Sequence, residues 1–417
     1  MPLNGHLQFT FLLFLLLCNV HLQARVISVG QHDGHITSIK EAVSMAVDGD
    51  SIWVHSGVYR EGNIIINKSI YLKGLDHPCL DGEGKYEILT ISGRDITVSG
   101  FVFLNSGYSS MLDYAAIKCI DARNITLEEN EITHAYFAIH ISNVEDIVIR
   151  NNRIHGNPKT EQNTGNGIHL WKCKKALIDG NIISKHRDGI YFEFVTESLI
   201  TCNLSYENIR YGLHFMFSHK DTYTYNRFVE NGAGVAVMYS KEVDMQANEF
   251  VDNWGSAAYG ILLKDISDSY IAYNLFDQNT VGIYMEGTNR INIHWNHFHK
   301  NGWAMKVQAS CNENKIQHNN FSGNSFDIAT NGSLVLNSFD QNYWDKYDGY
   351  DRTRDGYGDI PYRPVSMYSM IVEQNPYTLI LLRSILISFL DKAEKAIPSL
   401  TPELLIDNKP LIKPLCL

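Results

Sequence analysis

Three side chains in the middle of the sequence have the chemistry to bind a soft metal ion. The stretch RYGLHFMFSHK, residues 210–220, holds His214 and Met216 two positions apart, and GAGVAVMYS, residues 232–240, repeats the context with Met238. Imidazole nitrogen and thioether sulfur suit Cu(I), and two methionines with one histidine provide three-coordinate binding. The alternative is that an apolar loop or a partner covers the methionines, which then act as adaptable packing. The sequence therefore predicts a copper site at these three residues if the fold brings them together.

A repeat of about 22 residues indicates which elements would position these side chains. An Asn recurs with gaps of 22, 29, 22, 23, 22, 26, 22, 23 and 18 residues, and in all but one case Ile or Phe follows it two residues later. These asparagines are Asn130, Asn152, Asn181, Asn203, Asn226, Asn248, Asn274, Asn296, Asn319 and Asn337. The short alternating apolar runs between them, such as GIYFEF and GIYMEG, indicate strands, and three short strands with tight turns fill one repeat. Asn tolerates left-handed backbone at a turn, and its amide can bond from coil to coil. The sequence therefore predicts an all-β solenoid, a parallel β-helix with one repeat per coil.

A recurring glycine separates core positions from outer positions, because successive strand residues point to opposite sides. Positions one and three after it are predicted to form the core, and they are Ile168, Leu170, Ile190, Phe192, Leu213, Phe215, Val235, Val237, Ile261, Leu263, Ile283 and Met285. Positions two and four are predicted to face outward, and they are His169, Trp171, Tyr191, Glu193, His214, Met216, Ala236, Met238, Leu262, Lys264, Tyr284 and Glu286. Met216 and Met238 should then be exposed neighbours about 4.8 Å apart, with His214 about 7 Å from Met216 on the same face.

The two ends of the solenoid have sequences suited to caps. At the front, SIKEAVSMAVDGD predicts a capping helix, with Ser38 and Glu41 at capping-box spacing. At the back, the repeat ends in an Asp-, Gly- and Tyr-rich segment whose aspartates could hold Ca²⁺ or form turns. The apolar segment PYTLILLRSILISFLDKAEKA is too short to span a membrane and predicts an amphipathic helix that docks on the solenoid, on a partner or on the bilayer surface. The predicted organisation is a signal peptide over 1–24, the β-helix with its N-terminal cap over 25–345, a C-terminal capping segment over 346–375 and an amphipathic helical tail for partner docking over 376–417.

Composition excludes several classes of protein. A net charge of −11 argues against binding to nucleic acid or to an anionic membrane surface. The apolar run Leu7 to Cys18, followed by HLQA, indicates export, and Cys18 leaves a lipid anchor as the alternative. Scattered cysteines without a close CxxC pair argue against a zinc site. Because the sequence has no GxxxxGK[ST] motif, the chain does not hydrolyse ATP by that route.

An enzymatic function is the second hypothesis. Many parallel β-helices cleave or epimerise acidic polysaccharides on the outer face, using carboxylates and a basic residue. Glu193, Lys264 and Glu286 share the outer positions with the methionines, so a polysaccharide lyase or epimerase is the alternative function. The centre of this face, however, offers Ala236, Leu262 and two methionines, which make a poor sugar cleft. A non-catalytic adhesin or scaffold, the third hypothesis, predicts a featureless polar face instead.

The sequence resembles the NosD family of periplasmic nitrous oxide reductase maturation proteins. The resemblance rests on RYGLHFMFS, GAGVAVMYS, GILLKD, NYWDKYDGYD and DGYGDIPYRP, in this order, and covers most of the chain to about Pro364. It implies a right-handed parallel β-helix, exported to the periplasm, that works with an ABC permease and its ATPase. That machinery helps to assemble the copper-sulfide centre of nitrous oxide reductase, with copper supplied by a lipoprotein chaperone. The resemblance thus favours a non-catalytic maturation factor, transient Cu(I) binding at His214, Met216 and Met238, and membrane contact through the C-terminal helix and the permease.

Overall fold

Every strand pairs in parallel with the strand one repeat away, so the chain forms a parallel β-helix of about 13 coils. The computed structural model describes residues 24–30, 36–109, 112–158, 160, 164–332, 334, 336–397 and 405–416. The predicted signal peptide, including Cys18, lies outside the described residues except for Ala24. The predicted fold class is confirmed.

Three parallel sheets form the walls of the solenoid. The first has 14 strands: Val26–Val29, Ser51–Val54, Tyr71–Gly74, Arg94–Ser99, Arg123–Glu128, Glu145–Arg150, Lys174–Asp179, Leu199–Thr201, Thr222–Thr224, Asp244–Gln246, Tyr270–Ala272, Asn292–His294, Lys315–Gln317 and Ser338–Asp340. The second has 12: Ile64–Ile66, Leu89–Ile91, Ala115–Ile120, Phe137–Ser142, Ile168–Trp171, Asp188–Glu193, Tyr211–Met216, Ala233–Met238, Tyr259–Lys264, Val281–Glu286, Trp303–Val307 and Phe326–Ala329. The third has 13: Val58–Tyr59, Cys79–Asp81, Val102–Leu104, Glu131–Thr133, Arg153–His155, Ile182–Ser184, Leu204–Tyr206, Arg227–Val229, Glu249–Val251, Leu275–Asp277, His297–His299, Asn320–Ser322 and Tyr343–Trp344.

The core follows the predicted alternation in the second sheet. Residues one and three after the recurring glycine, such as Leu213 and Phe215, have no exposed surface. The glycine itself is required by close packing between coils. A Cβ on Gly234 would lie 2.5 Å from the carbonyl oxygen of Gly260, and the equivalent glycines of neighbouring coils meet the same obstacle. The recurring glycine therefore sets the register that stacks the strands of this sheet.

The repeated asparagines form a buried ladder along one turn. Each backbone N–H donates to the side-chain oxygen of the Asn in the next coil; for Asn203 and Asn226 the distance is 3.0 Å. The side-chain amide of Asn203 also donates to the carbonyl oxygen of Ile178 at 2.9 Å. The prediction that Asn337 is the last member of this ladder was wrong. Asn342 accepts from Asn319 instead, and it precedes Trp344, which stacks on Phe321 where earlier coils have Ile or Phe.

A second asparagine ladder, not predicted from the sequence, runs along another turn. Its members are Asn208, Asn231, Asn253, Asn279, Asn301 and Asn324. In the coils that they span, both ladders supply hydrogen-bond partners for buried backbone groups, which a turn needs in order to be buried.

The N-terminal cap is helix α1, Ile39–Met45. Ser38 caps it by accepting from the N–H of Glu41 at 3.2 Å, and the carboxylate of Glu61 accepts from the N–H groups of Ile39 and Lys40 at 2.8 and 2.9 Å. Ile39, Ala42 and Val43 are buried, so the predicted capping helix is confirmed.

Two helices and a 3₁₀ turn lie against the other end of the second sheet. They are α2, Met367–Gln374, the 3₁₀ turn Pro376–Leu381, and α3, Ile385–Ala396. Tyr368, Val372 and Ile387 pack with Trp303 and Phe326 of the last coils in a separate apolar cluster. Lys306 pairs with Glu373 at 2.8 Å. None of the helices in the described ranges has both the length and the apolar character needed to cross a bilayer.

The chain then returns to the solenoid. Residues 405–416 are not helical, which differs from the helical tail predicted over 376–417. The physical reason is that extended chain here fills the hydrogen-bonding positions of the last coil. The Asp407 carboxylate accepts from the N–H groups of Gln341 and Asn342 at 3.1 and 3.0 Å and from the Trp344 indole at 3.0 Å. Asp407 therefore ends the asparagine ladder, and Leu415 exchanges two hydrogen bonds with Asn320.

Candidate metal site on the second sheet

The two methionines of the predicted site are direct neighbours. Strands Tyr211–Met216 and Ala233–Met238 pair in parallel, with Met216 opposite Met238. Glu193 precedes them and Lys264 follows them in the same outward row. Both methionine side chains are half-buried, so their thioethers lie in a partly dry environment. Copper binding at this pair stays a prediction.

His214 lies under the surface, although the sequence predicts an exposed side chain. Only 4% of its surface is exposed. The rings of Tyr191 and Tyr211 pack on the imidazole, with centroids 5.0 and 4.7 Å away. The prediction of exposure was wrong because strand parity gives the direction of a side chain but does not show the aromatic neighbours that cover it. Neither ring nitrogen of His214 has a hydrogen-bond partner.

A carboxyl group lies behind this histidine. Oδ2 of Asp188 is 3.6 Å from Nδ1 of His214, and Asp188 is completely buried with no hydrogen bond to either oxygen. Two guanidinium groups are nearby: the Nε atoms of Arg187 and Arg210 lie 3.9 and 4.0 Å from the carboxyl oxygens. The sequence analysis missed Asp188 because it aligned positions after the glycine, whereas Asp188 immediately precedes Gly189. One feature of the sequence could have pointed to Asp188: it is a charged residue at the strand position that Tyr211 occupies in the next coil.

Further imidazoles continue the row of His214 along the sheet. His140, His169 and Tyr191 occupy the equivalent position in the three preceding coils, with successive ring centroids 4.7 Å apart. Burial, together with the neighbouring His140 and Arg187, holds the pKa of His169 well below 6.5. Burial also lowers the pKa of His140, against the opposing effect of Asp113. Burial raises the pKa of Tyr191 to about 12, helped by the charge of Glu193. At neutral pH the rings of His140, His169 and Tyr191 are therefore neutral.

The donor set around the methionines is soft. The described part of the chain has no group of three or more His, Cys, Asp or Glu residues placed to hold a metal ion. The aspartates near the C-terminal end form turns: Asp351 accepts from the N–H of Gly356 at 2.9 Å, and Asp359 accepts from the N–H of Arg352 at 2.6 Å. Thioether sulfur and imidazole nitrogen are donors that suit Cu(I), and the methionine pair lies two residues along the strand from His214.

A strip of exposed aromatic residues borders the methionines. Phe194, Phe217 and Tyr239 immediately follow Glu193, Met216 and Met238, and all three have positive φ, at 55°, 50° and 53°. Their rings stack in succession with centroids 5.3 and 5.0 Å apart and planes within 14° of parallel. Because the rings stack face to face, only edges and the two outermost faces remain available. Such a strip gives little of the flat platform on which sugar rings stack.

The C-terminal helices present a second apolar surface. Tyr377, Ile380, Ile385, Leu386 and Phe389 are between 61% and 90% exposed, and we call them the apolar tip. They lie on the 3₁₀ turn and on α3, away from the residues that pack on the solenoid. An exposed apolar patch of this kind marks an interaction surface.

Comparisons with known proteins agree with the sequence resemblance. The family model described as "Periplasmic copper-binding protein (NosD)" matches residues 150–349. A relative from Pseudomonas aeruginosa, named "Probable ABC transporter binding protein NosD", is 30% identical over 394 residues, covering 89% of this chain and 91% of the relative. A relative of the same name from Stutzerimonas stutzeri is 26% identical over 387 residues, covering 88% of each.

Solved structures show the same fold in enzymes. The catalytic unit of a GH87 alpha-1,3-glucanase from Streptomyces thermodiastaticus aligns with a TM-score of 0.58 at 13% identity, covering 78% of this chain and 69% of the glucanase. At this identity the likeness shows the fold alone, because function depends on the site and not on the architecture.

Proposed function

We propose a function for this chain from its membership of the NosD family of periplasmic copper-binding proteins. In this proposal the chain is a non-catalytic partner of an ABC transporter. It carries Cu(I) for the copper-sulfide centre of nitrous oxide reductase. The observation that carries the proposal is the register of Met216 opposite Met238, next to a buried His214 whose Nε2 has no partner. Two thioethers and one neutral imidazole hold Cu(I) as a cargo, and a low coordination number allows a partner's ligands to replace them.

A competition experiment tests the site directly. We expect Met216→Ala, Met238→Ala and His214→Ala each to weaken Cu(I) binding under anaerobic conditions in competition with a Cu(I)-selective chelator. The control is Met45→Ala, which removes a half-exposed thioether from α1, far from the site. Affinity as high as that of the unmodified protein in all three site variants would exclude the proposed site.

The role in maturation is tested in the native host. Without this gene, we expect exported nitrous oxide reductase to lack its catalytic copper centre and its activity. Restoring the gene with Met216→Ala and Met238→Ala together should not restore the centre, whereas the gene with Met45→Ala should. Fully loaded reductase in the deletion strain would exclude the maturation role. This outcome does not depend on where copper binds to the chain.

The apolar tip supports attachment to the membrane-embedded permease. Its exposed residues belong to helices that are fixed to the last coils, and the relatives are named as ABC transporter binding proteins. We expect Ile380→Glu with Phe389→Glu to release the protein from the permease while leaving the β-helix folded. The control is Ile65→Glu, which changes an exposed apolar side chain in the first coils. Deleting residues 376–417 would be less informative, since that change also removes Asp407.

Acting on polysaccharide is the second candidate function. It is supported by Glu193, Lys264 and Glu286 in one outward row, with Nζ of Lys264 3.8 Å from Oε1 of Glu286. The central positions of this face are instead Ala236, which is buried, and Leu262. Screening acidic polysaccharides for lyase or epimerase products tests this candidate, and turnover that is lost in Lys264→Ala would favour it over the copper proposal.

A further inference from the structure

We infer that Asp188 is a positioning residue for His214: it accepts the hydrogen on Nδ1 and so leaves Nε2 free to bind Cu(I). The inference rests on the proposed function, because it concerns how this chain prepares its own ligand for the cargo. Asp188 does not contact the copper in this arrangement.

The first argument is the isolation of both side chains. Asp188 and His214 are 0% and 4% exposed, and neither the carboxyl oxygens nor the ring nitrogens have a hydrogen-bond partner. A buried carboxyl group without a donor is costly, and so is a buried imidazole N–H without an acceptor. The distance of 3.6 Å between Asp188 Oδ2 and His214 Nδ1 is slightly beyond hydrogen-bond length, so a small rotation of either side chain satisfies both groups.

The second argument is the charge balance around the carboxyl group. Arg187 and Arg210 place guanidinium nitrogens 3.9 and 4.0 Å from its two oxygens. These distances are too long for hydrogen bonds, yet they bring two positive charges close to the carboxyl oxygens. The carboxyl group is therefore stabilised as an acceptor, and the imidazole Nδ1–H is a donor within reach.

The third argument is the consequence for metal binding. A neutral imidazole carries its hydrogen on one nitrogen only, and a metal binds the other. In metal sites a carboxylate commonly holds the far N–H of a ligating histidine, which fixes the ring and its tautomer. Tyr191 and Tyr211 restrict the ring of His214, so the position of the hydrogen is the remaining variable.

Two variants test this role. Asp188→Leu removes the acceptor in a side chain of similar size, and Asp188→Asn keeps the shape but replaces one acceptor oxygen with a donor. In copper-free protein labelled with ¹⁵N-histidine, we expect the His214 signals to show hydrogen on Nδ1. The His214→Gln spectrum identifies these signals. Both Asp188 variants should lose this preference and bind Cu(I) about 10- to 100-fold more weakly.

A matched control and a second comparison separate the possible failures. Asp327→Asn alters another buried carboxyl of the same sheet, in its last strand, and should leave both readouts unchanged. If His214→Ala weakens Cu(I) binding but Asp188→Leu keeps the tautomer and the affinity, the positioning role of Asp188 is refuted. If His214→Ala binds Cu(I) as tightly as the unmodified protein, the copper site itself is refuted, whatever Asp188 does to the ring.

Discussion

Asp221→Asn should stabilise the protein, and increasingly so as the pH rises. The Asp221 side chain is completely buried in a turn beside the first sheet. Oδ1 accepts from the N–H of Ser198 at 2.9 Å, whereas Oδ2 has no partner. Burial raises the pKa of this carboxyl from 3.8 to about 8, against the opposing hydrogen bonds from Ser198. Folded protein therefore keeps a proton at neutral pH that the unfolded chain releases.

The sign and size of the effect follow from proton linkage. Between about pH 4 and about pH 8 the folded state binds one more proton than the unfolded state, so rising pH lowers the free energy of unfolding. Each pH unit contributes about 1.36 kcal/mol, which amounts to a penalty of the order of 4 kcal/mol at pH 7. Above about pH 8 the penalty is constant, because both states have then lost the proton.

Asparagine has no proton to lose and fits the turn. Asn314 occupies the equivalent turn position four coils further along. It lies two residues after Asn312, as Asp221 lies two residues after His219, and a chain of parallel bridges links His219 to Asn312. Its amide donates to the carbonyl oxygen of Thr288 at 2.8 Å, in the preceding coil. An amide at position 221 meets the corresponding oxygen, that of Val195. This added hydrogen bond contributes about 1 kcal/mol at all pH values.

Urea denaturation followed by tryptophan fluorescence, from about pH 4 to about pH 9, measures the difference between the two proteins. The control is Asp244→Asn, which makes the same substitution at a half-buried side chain in the next coil. A difference between Asp221→Asn and the unmodified protein that does not grow with pH would refute the reasoning, because Asp221 would then hold no extra proton in the folded state.

Three further substitutions probe the coil-to-coil contacts. Asn226→Ala leaves the N–H of Asn203 and the carbonyl oxygen of Ile200 without partners, so we expect a loss of about 3 kcal/mol in the free energy of unfolding by urea denaturation. Gly234→Ala places a Cβ 2.5 Å from the oxygen of Gly260, so we expect little folded protein, judged by soluble yield and circular dichroism; a normal yield and spectrum would contradict the close packing. Asp407→Ala removes the acceptor that ends the ladder, so amide exchange should accelerate in residues 338–344 while the first coils keep their protection, since solenoid contacts are local.

The fold could be predicted from the sequence because its determinants repeat. Asparagine, glycine and alternating apolar residues return from coil to coil through the middle of the chain, and each has the same physical role wherever it returns. The register was lost only where the repeat changes. Two residues after Asn342 stands Trp344 and not Ile or Phe, so the pattern selected Asn337. The side chain of Asn337 instead accepts a hydrogen bond from Asn314 in a different turn. The second ladder escaped notice because its asparagines are followed by no common residue.

The candidate site was only partly accessible to sequence reasoning. Period and parity place Met216 opposite Met238, since both follow from the repeat. The burial of His214 depends on how Tyr191 and Tyr211 orient their rings, and its contact with Asp188 joins different coils. Neither arises from a periodic pattern. The return of residues 405–416 to the last coil is likewise a contact made once, between segments distant in sequence.

The chain contacts the solenoid both before and after the exposed residues of the C-terminal helices. The solenoid therefore acts as a spacer of fixed length between the methionine pair and the apolar tip. Tyr368 and Val372 hold one side on the second sheet, and Asp407 holds the other on the last coil. Strand Ala233–Met238 lies four strands before the last strand of that sheet, a separation of about 19 Å along the stack. If the apolar tip rests on the permease, the methionine pair stands at a constant height above it. A partner delivering or receiving copper must then match that height, and inserting one whole coil between the pair and the tip would raise it by about 5 Å.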